Sequence, residues 1–161
     1  MSFYDQRGEL LVREKPLILV ARQSKPSSDD KGTRFILSPL VVASPSQLIL
    51  GLVQRLSPEQ VASFYNLSHV NLPKNLSPEE SMEQVPLAIF QTNAVAAGPD
   101  NVGLFPIMAR LNHGCSHAFN SVYSWREREG VLVVHALKNI KKDEELLTAY
   151  FRTLQTRDER R

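Results

Sequence analysis

Short apolar runs separated by polar, turn-forming stretches dominate the first quarter of the chain. Residues 10–21 read LLVREKPLILVA, and Pro16, which has no amide proton for a sheet ladder, divides them into two short predicted strands. Residues 24–32, SKPSSDDKG, carry turn formers and charges without periodicity, which predicts an exposed loop able to take insertions. The next apolar run, residues 35–43, is interrupted by Pro39 and fits helix or strand equally.

The period then changes. Ser44 before Pro45, and Ser57 before Pro58 and Glu59, pair a hydroxyl N-cap with proline at the first helical position. Leu48, Leu52, Val53 and Leu56 recur at three- and four-residue spacing behind the first start, and Val61, Phe64 and Tyr65 behind the second, so each helix is expected to bury that face. Ser77-Pro78-Glu79-Glu80 repeats the signal. Pro86 removes a backbone donor farther along, which predicts a break or restart of this third helix near it. After the Gly98-Pro99-Asp100 loop the pattern turns to strand. Residues 120–126 (NSVYSWR) and 131–137 (VLVVHAL), joined through Gly130, predict a hairpin. A polar turn at residues 141–144 precedes a last predicted strand at 146–151. Strands flank a helical middle, and no internal repeat is visible.

The length of 161 residues suits one domain, and 42% hydrophobic with 22% charged residues is ordinary globular composition. No apolar run approaches the roughly 20 residues of a membrane span, and the N-terminus lacks the apolar core of a secretory signal. A nuclear or cytoplasmic location is expected. A formal charge of +2 excludes the broad positive field of nonspecific nucleic-acid binding. The basic residues at 152–161 are mixed with Asp158 and Glu159, as in a solvated charged tail. Cys115 is the only cysteine, which rules out an internal disulfide and a multi-cysteine zinc cluster built from this chain alone.

The densest polar cluster is Asn112-His113-Gly114-Cys115-Ser116-His117, directly after LFPIMARL. In an extended conformation His113, Cys115 and His117 would share a face and, with His135, would supply four nitrogen and sulfur ligands of the kind zinc takes. The spacing is not that of a metal-binding turn, and His135 sits in an apolar strand, so satisfied structural histidines are the commoner case and no metal ligand is assigned. Cys115 has a histidine two residues away on either side, the setting of an activated thiol. A lone cysteine is more often a small packed hydrophobe, and Cys115 is given that role.

Two stretches in order resemble motifs of one family. Arg110-Leu111-Asn112-His113-Gly114-Cys115 resembles the R-x-N-H-S-C motif of SET domains, and the segment from Glu144 through Tyr150 resembles their G-E-E-L/I-x-x-x-Y motif. Around them GELLVREKPLILV is similar to the early strands of the fungal and SMYD-like branch, FQTNAV to the segment leaving its helical insert, and GLFPIMARLNHGC to its cofactor loop. The resemblance implies a β-rich α+β fold of small sheets over residues 8–151, a helical insert near residues 44–92, and a C-terminal pseudoknot in which the Asn-His segment takes part.

The resemblance also implies an activity: protein-lysine methyltransferase, with S-adenosylmethionine as cofactor and a lysine of a histone or other nuclear or cytoplasmic protein as acceptor. Asn112 and His113 would hold the cofactor, the histidine largely through its backbone, and Asn93 would be a further cofactor contact. Tyr150 would be the catalytic residue, its hydroxyl orienting cofactor methyl and lysine amine. On periodicity alone Tyr150 is a buried strand tyrosine with a satisfied hydroxyl. The cofactor supplies an activated methyl, so the protein has chiefly to position the reactants.

The chain also departs from the pattern. No Gly-x-Gly strand precedes Gly8, Gly114 stands for the motif serine, Ser116-His117-Ala118 replaces x-Pro-Asn, Asp143 stands where a turn glycine is common, and no post-SET cysteines follow. A truncated or degenerate copy is the expectation these departures raise, with a noncatalytic SET-fold interaction module as the competing reading.

Overall fold

The computed structural model describes residues 6–21, 44–70, 72–115 and 117–150. The predicted loop at 24–32, the undetermined run at 35–43, the tail at 152–161 and the last residue of the predicted terminal strand lie outside the described residues. In chain order the elements are β1 (Leu10–Glu14), β2 (Ile18–Ala21), α1 (Pro45–Val53), α2 (Pro58–Tyr65), α3 (Pro78–Asn93), β3 (Val95–Ala96), β4 (Asn101–Leu104), a 3-10 turn (Met108–Arg110), β5 (Asn112–His113), β6 (Ser121–Arg126), β7 (Val131–Ala136) and β8 (Leu147–Thr148). They form three small sheets, ordered β1-β7-β6, β2-β4-β3 and β5-β8, with three helices between the second and third strands in sequence. The result is the small-sheet α+β architecture with a helical middle that the sequence predicts.

The chain divides into two compact units, residues 1–16 with 105–161, and residues 17–104. The first holds the sheet β1-β7-β6, antiparallel throughout. Its middle strand β7 is apolar and buried at Val131, Leu132, Val133 and Val134, because it has a neighbour along each edge and little of either face is left to solvent. The β6–β7 hairpin turns at Gly130, whose φ of 62° lies in the left-handed region that a side chain disfavours. Phe105, Met108, Leu111 and Ile140 are also buried in this unit, and Phe105 meets the ring of Trp125 with centroids 5.9 Å apart.

In the second unit β2 and β3 flank β4 in antiparallel pairing. Each helix begins with the predicted serine and a full capping box: the side chains of Ser44, Ser57 and Ser77 accept from Gln47, Gln60 and Glu80 backbone amides, whose own side chains accept from the serine backbone. α1 and α2 both pack against α3. The predicted face of α1 is rotated in part, however. Val53 is buried as expected, but at the start of the helix Ile49 is buried and Leu48 is 44% exposed, so there the contact stripe runs one residue beyond the predicted one. In α2 Phe64 is fully buried and Tyr65 is exposed, standing edge-on to Phe64 at 5.2 Å.

α3 corrects a second expectation. It runs unbroken through Pro86. Pro86 is itself buried within the helix's packed face. Packing of the ring outweighs the lost hydrogen bond. The terminal strand is also shorter than predicted, Leu147–Thr148 only, because its parallel partner β5 is two residues long.

Candidate functional site

β5 and β8 bring the two motif segments side by side, Asn112 opposite Leu147 and His113 opposite Thr148. The Gly114 amide extends the pairing to the Thr148 carbonyl at 2.9 Å. Side chains reinforce it. Asn112 Nδ2 donates to Glu145 Oε1 at 2.6 Å, and the backbone amide of Tyr150 donates to His113 Nδ1 at 3.1 Å. An accepting Nδ1 places the proton of a neutral imidazole on Nε2. The Tyr150 hydroxyl donates to the Leu111 carbonyl at 2.6 Å, and the rings of His113 and Tyr150 lie 5.2 Å apart at 46°. Three predicted site residues, Asn112, His113 and Tyr150, are therefore in one cluster although 37 positions separate the last two in sequence.

Tyr150 is half exposed, not the buried strand tyrosine that periodicity suggests. It sits past the end of β8, where the chain bends away from the pairing. Desolvation of its hydroxyl raises its pKa above the ordinary 10.0. The phenol oxygen gives its proton to Leu111 and retains lone pairs that can accept from an incoming group.

Asn93, the fourth predicted residue, ends α3 in the other unit. Its Nδ2 donates to the carbonyls of Ser68 at 2.7 Å and Ile89 at 2.8 Å, so it ties the helix end to the segment after α2. The Oδ1 makes no hydrogen bond with described residues.

Three polar residues with no role assigned from sequence hold this part of the first unit in place, Glu145 among them although it lies in the second motif. Asn120 is 1% exposed. Its Oδ1 accepts the Leu147 amide at 2.9 Å, its Nδ2 donates to the Glu145 carbonyl at 2.8 Å and to Glu144 Oε1 at 3.2 Å, and its backbone amide reaches the Leu147 carbonyl at 3.0 Å. Glu14 accepts the amides of Ile107 at 2.9 Å and Met108 at 3.0 Å with separate oxygens, capping the 3-10 turn that leads into β5. Burial raises the Glu14 pKa above 4.5, with the two backbone amides pulling the other way. Glu145 supplies the carboxylate that fixes Asn112. An asparagine opening a predicted strand and a glutamate closing another give no sequence-level sign of these long-range bonds.

The metal geometry weighed from sequence does not form. β5 ends at His113, and the Ala118 amide turns back to the Cys115 carbonyl at 2.8 Å, so the alternation is not carried on to His117. Among the described residues no group of three His, Cys, Asp or Glu side chains is gathered as a metal ion requires. Cys115, expected to be packed, is exposed, because it lies in that turn beyond the strand. Gly114 has a structural reason of its own: a Cβ there would stand 2.6 Å from the backbone nitrogen of Phe119 and 2.8 Å from its Cα.

Two motif segments paired in parallel, a tyrosine folded against the Asn-His step and small sheets whose strands precede and follow three helices in sequence define the class. The SET domain family model matches residues 6–151, and the chain belongs to the SET domain family. Among curated proteins it is 29% identical over 131 residues to the histone-lysine N-methyltransferase set5 of Schizosaccharomyces pombe, covering 80% of this chain and 38% of that protein. A second similarity, 40% identity over 55 residues, is to the histone-lysine N-methyltransferase ASHR1 of Arabidopsis thaliana, covering 34% of this chain and 11% of that protein. The chain thus spans well under half the length of either relative.

The chemistry of the clustered groups fits S-adenosylmethionine. Asn112 is exposed and its Oδ1 makes no bond with described residues, Glu145 keeps Oε2 uncommitted, and the His113 and Tyr150 rings offer aromatic surface. An amide oxygen suits adenine or ribose donors, and a carboxylate or an aromatic face suits a cationic sulfonium.

Proposed function

We infer that this chain is the SET portion of a protein-lysine methyltransferase that uses S-adenosylmethionine, acting on a nuclear or cytoplasmic protein. The observation that carries the reading is the parallel pairing of the two motif segments, in which Tyr150 packs on His113 and is hydrogen-bonded to Leu111 while Glu145 holds Asn112. When bound, the cofactor supplies an electrophilic methyl on a sulfonium, so no strong protein nucleophile is needed.

Asn112 and His113 would hold the cofactor. The Asn112–Glu145 bond fixes the amide orientation, leaving Oδ1 to accept. Tyr150 would orient the reacting groups. Its proton is committed to Leu111, so its oxygen faces incoming groups as an acceptor, suited to weak C–H···O contacts and to the protons of an amine. Desolvation of the lysine favours the neutral amine that transfer requires. Alignment of amine and methyl is the main service these residues perform, worth up to roughly 7–11 kcal/mol in well-oriented systems.

Two measurements test this. Calorimetric titration with S-adenosylmethionine is expected to show binding that Asn112→Ala weakens by about tenfold or more, the equivalent of 1.4 kcal/mol. Transfer of labelled methyl to core histones is expected to fall at least about tenfold in Tyr150→Phe. Equal transfer by wild type and Tyr150→Phe removes the hydroxyl from the mechanism. Absence of binding at millimolar cofactor replaces the enzyme reading with a noncatalytic interaction module.

A further inference from the structure

On the β1-β7-β6 sheet, apart from the Asn112–Tyr150 cluster, the first unit has an open depression of about 390 Å³. Its lining includes Arg7, Arg126, His135, Ser124, Val122 and Leu137. The alternation of β6 places Val122, Ser124 and Arg126 on one face of the sheet, and Val122 stands opposite His135 in the β6–β7 register. Arg7 comes from the turn before β1, where the Gly8 amide is bound to the Ala136 carbonyl at 2.7 Å.

The depression has two uncommitted cations and no acidic side chain in its lining. Neither guanidinium makes an ion pair or side-chain hydrogen bond with described residues, whereas Arg13 on the same sheet is bound to Glu129 at 3.0 Å. Nearby carboxylates are engaged elsewhere: Glu9 accepts the Gln6 amide at 2.7 Å, and Glu127 accepts the Trp125 indole N–H at 2.6 Å. Val122 and Leu137, 43% and 37% exposed, add apolar surface to the basic depression. The methyl-transfer reading uses none of these residues.

We propose that this depression is a docking site for an acidic peptide segment of a partner protein. Its carboxylates are taken by Arg7 and Arg126, and its apolar side chains rest on Val122 and Leu137. The guanidinium fork matches a carboxylate in two parallel hydrogen bonds. The volume lies within the range of small binding sites, roughly 300–1,000 Å³, enough for a few side chains. A nucleic acid fits less well. A formal charge of +2 over the whole chain gives little field to hold a phosphate backbone, and no Phe, Tyr or Trp lines the depression to stack a base. The apolar rim gives a free inorganic anion no use for half of the surface.

The test uses the full chain and three labelled probes in fluorescence anisotropy: a dodecapeptide of alternating Glu with Leu and Ser, the same peptide with Lys for Glu, and a single-stranded dodecanucleotide. Binding of the Glu peptide is expected to weaken about tenfold in Arg7→Gln and in Arg126→Gln. Arg13→Gln, outside the depression, is expected to leave it unchanged. Both replaced guanidiniums are exposed, so thermal midpoints should match wild type; Arg7→Gln alone decides the matter if Arg126→Gln is misfolded. The proposal is overturned by unchanged affinity in Arg7→Gln, by equal binding of the Lys peptide, or by tighter binding of the oligonucleotide than of the Glu peptide. Cofactor binding and methyl transfer are separate readouts, so failure here leaves the proposed function standing.

Discussion

Asn120 uses its side chain as a third strand would use its backbone: Oδ1 takes the Leu147 amide and Nδ2 meets the Glu145 carbonyl, while its own amide meets the Leu147 carbonyl. Removing the side chain breaks three hydrogen bonds at a buried position. Asn120→Ala is therefore expected to destabilise the protein by about 1–3 kcal/mol, at about 0.5–1.5 kcal/mol for each hydrogen bond lost, read as a lower urea midpoint at unchanged slope. Gly114 makes a second residue-level demand. Its hypothetical Cβ meets backbone, not the end of a flexible side chain, so Gly114→Ala should cost about 1–3 kcal/mol as overpacking does. Gly51, within α1 with nothing near its Cβ position, should respond in the opposite sense, Gly51→Ala stabilising by about 0.5–1 kcal/mol in the same titration. Substitutions that both read glycine to alanine thus separate close approach from helix propensity.

At the scale of elements, the turn before β8 depends on a charge. Glu144 accepts the Lys141 amide at 3.0 Å and Asn120 Nδ2 at 3.2 Å. The Lys141 bond first, and the Asn120 bond second, hold its pKa below the ordinary 4.5. A carboxyl whose folded pKa is depressed adds stability that is present above the unfolded value and is lost as pH falls through the folded one. The thermal midpoint of wild type should therefore exceed that of Glu144→Gln at pH 7, and the gap should close below pH 4.5. A gap that is unchanged at pH 3 would show that the charge is not what matters. The same turn explains Asp143, which adopts φ of 63° where glycine would be unstrained. Aspartate is among the few residues that visit this region with modest cost. Pro86 makes a complementary point: an isolated breaker does not end a helix when its ring is buried in the packing.

For the whole molecule, a ligand that binds only the folded state adds stability by mass action. On the proposed function, S-adenosylmethionine at one hundred times its dissociation constant should raise unfolding free energy by about 2.7 kcal/mol. Thermal shift should show this rise in wild type and a smaller one in Asn112→Ala at the same cofactor concentration. An equal rise in both would remove Asn112 from the cofactor site. The chain covers 38% of the length of its Schizosaccharomyces pombe relative, so this measurement concerns the SET portion by itself.

Local patterns in the sequence determined much of the architecture. Pro16 between two apolar runs, serine-proline starts with a partner three residues on, and the period-two hairpin around Gly130 each act within a few positions, where covalent geometry and nearest neighbours dominate. Two ordered motifs also made the family legible. Tertiary structure alone decided which helix face is buried, as Ile49 over Leu48 shows, because that choice depends on where another element lies. It alone selected Asn120, Glu14 and Glu145, whose partners lie between 24 and 94 positions away. It also decided that Tyr150 meets His113: hydrogen bonds between distant segments leave no periodic trace in the chain, since any polar residue at the right place in space can make them.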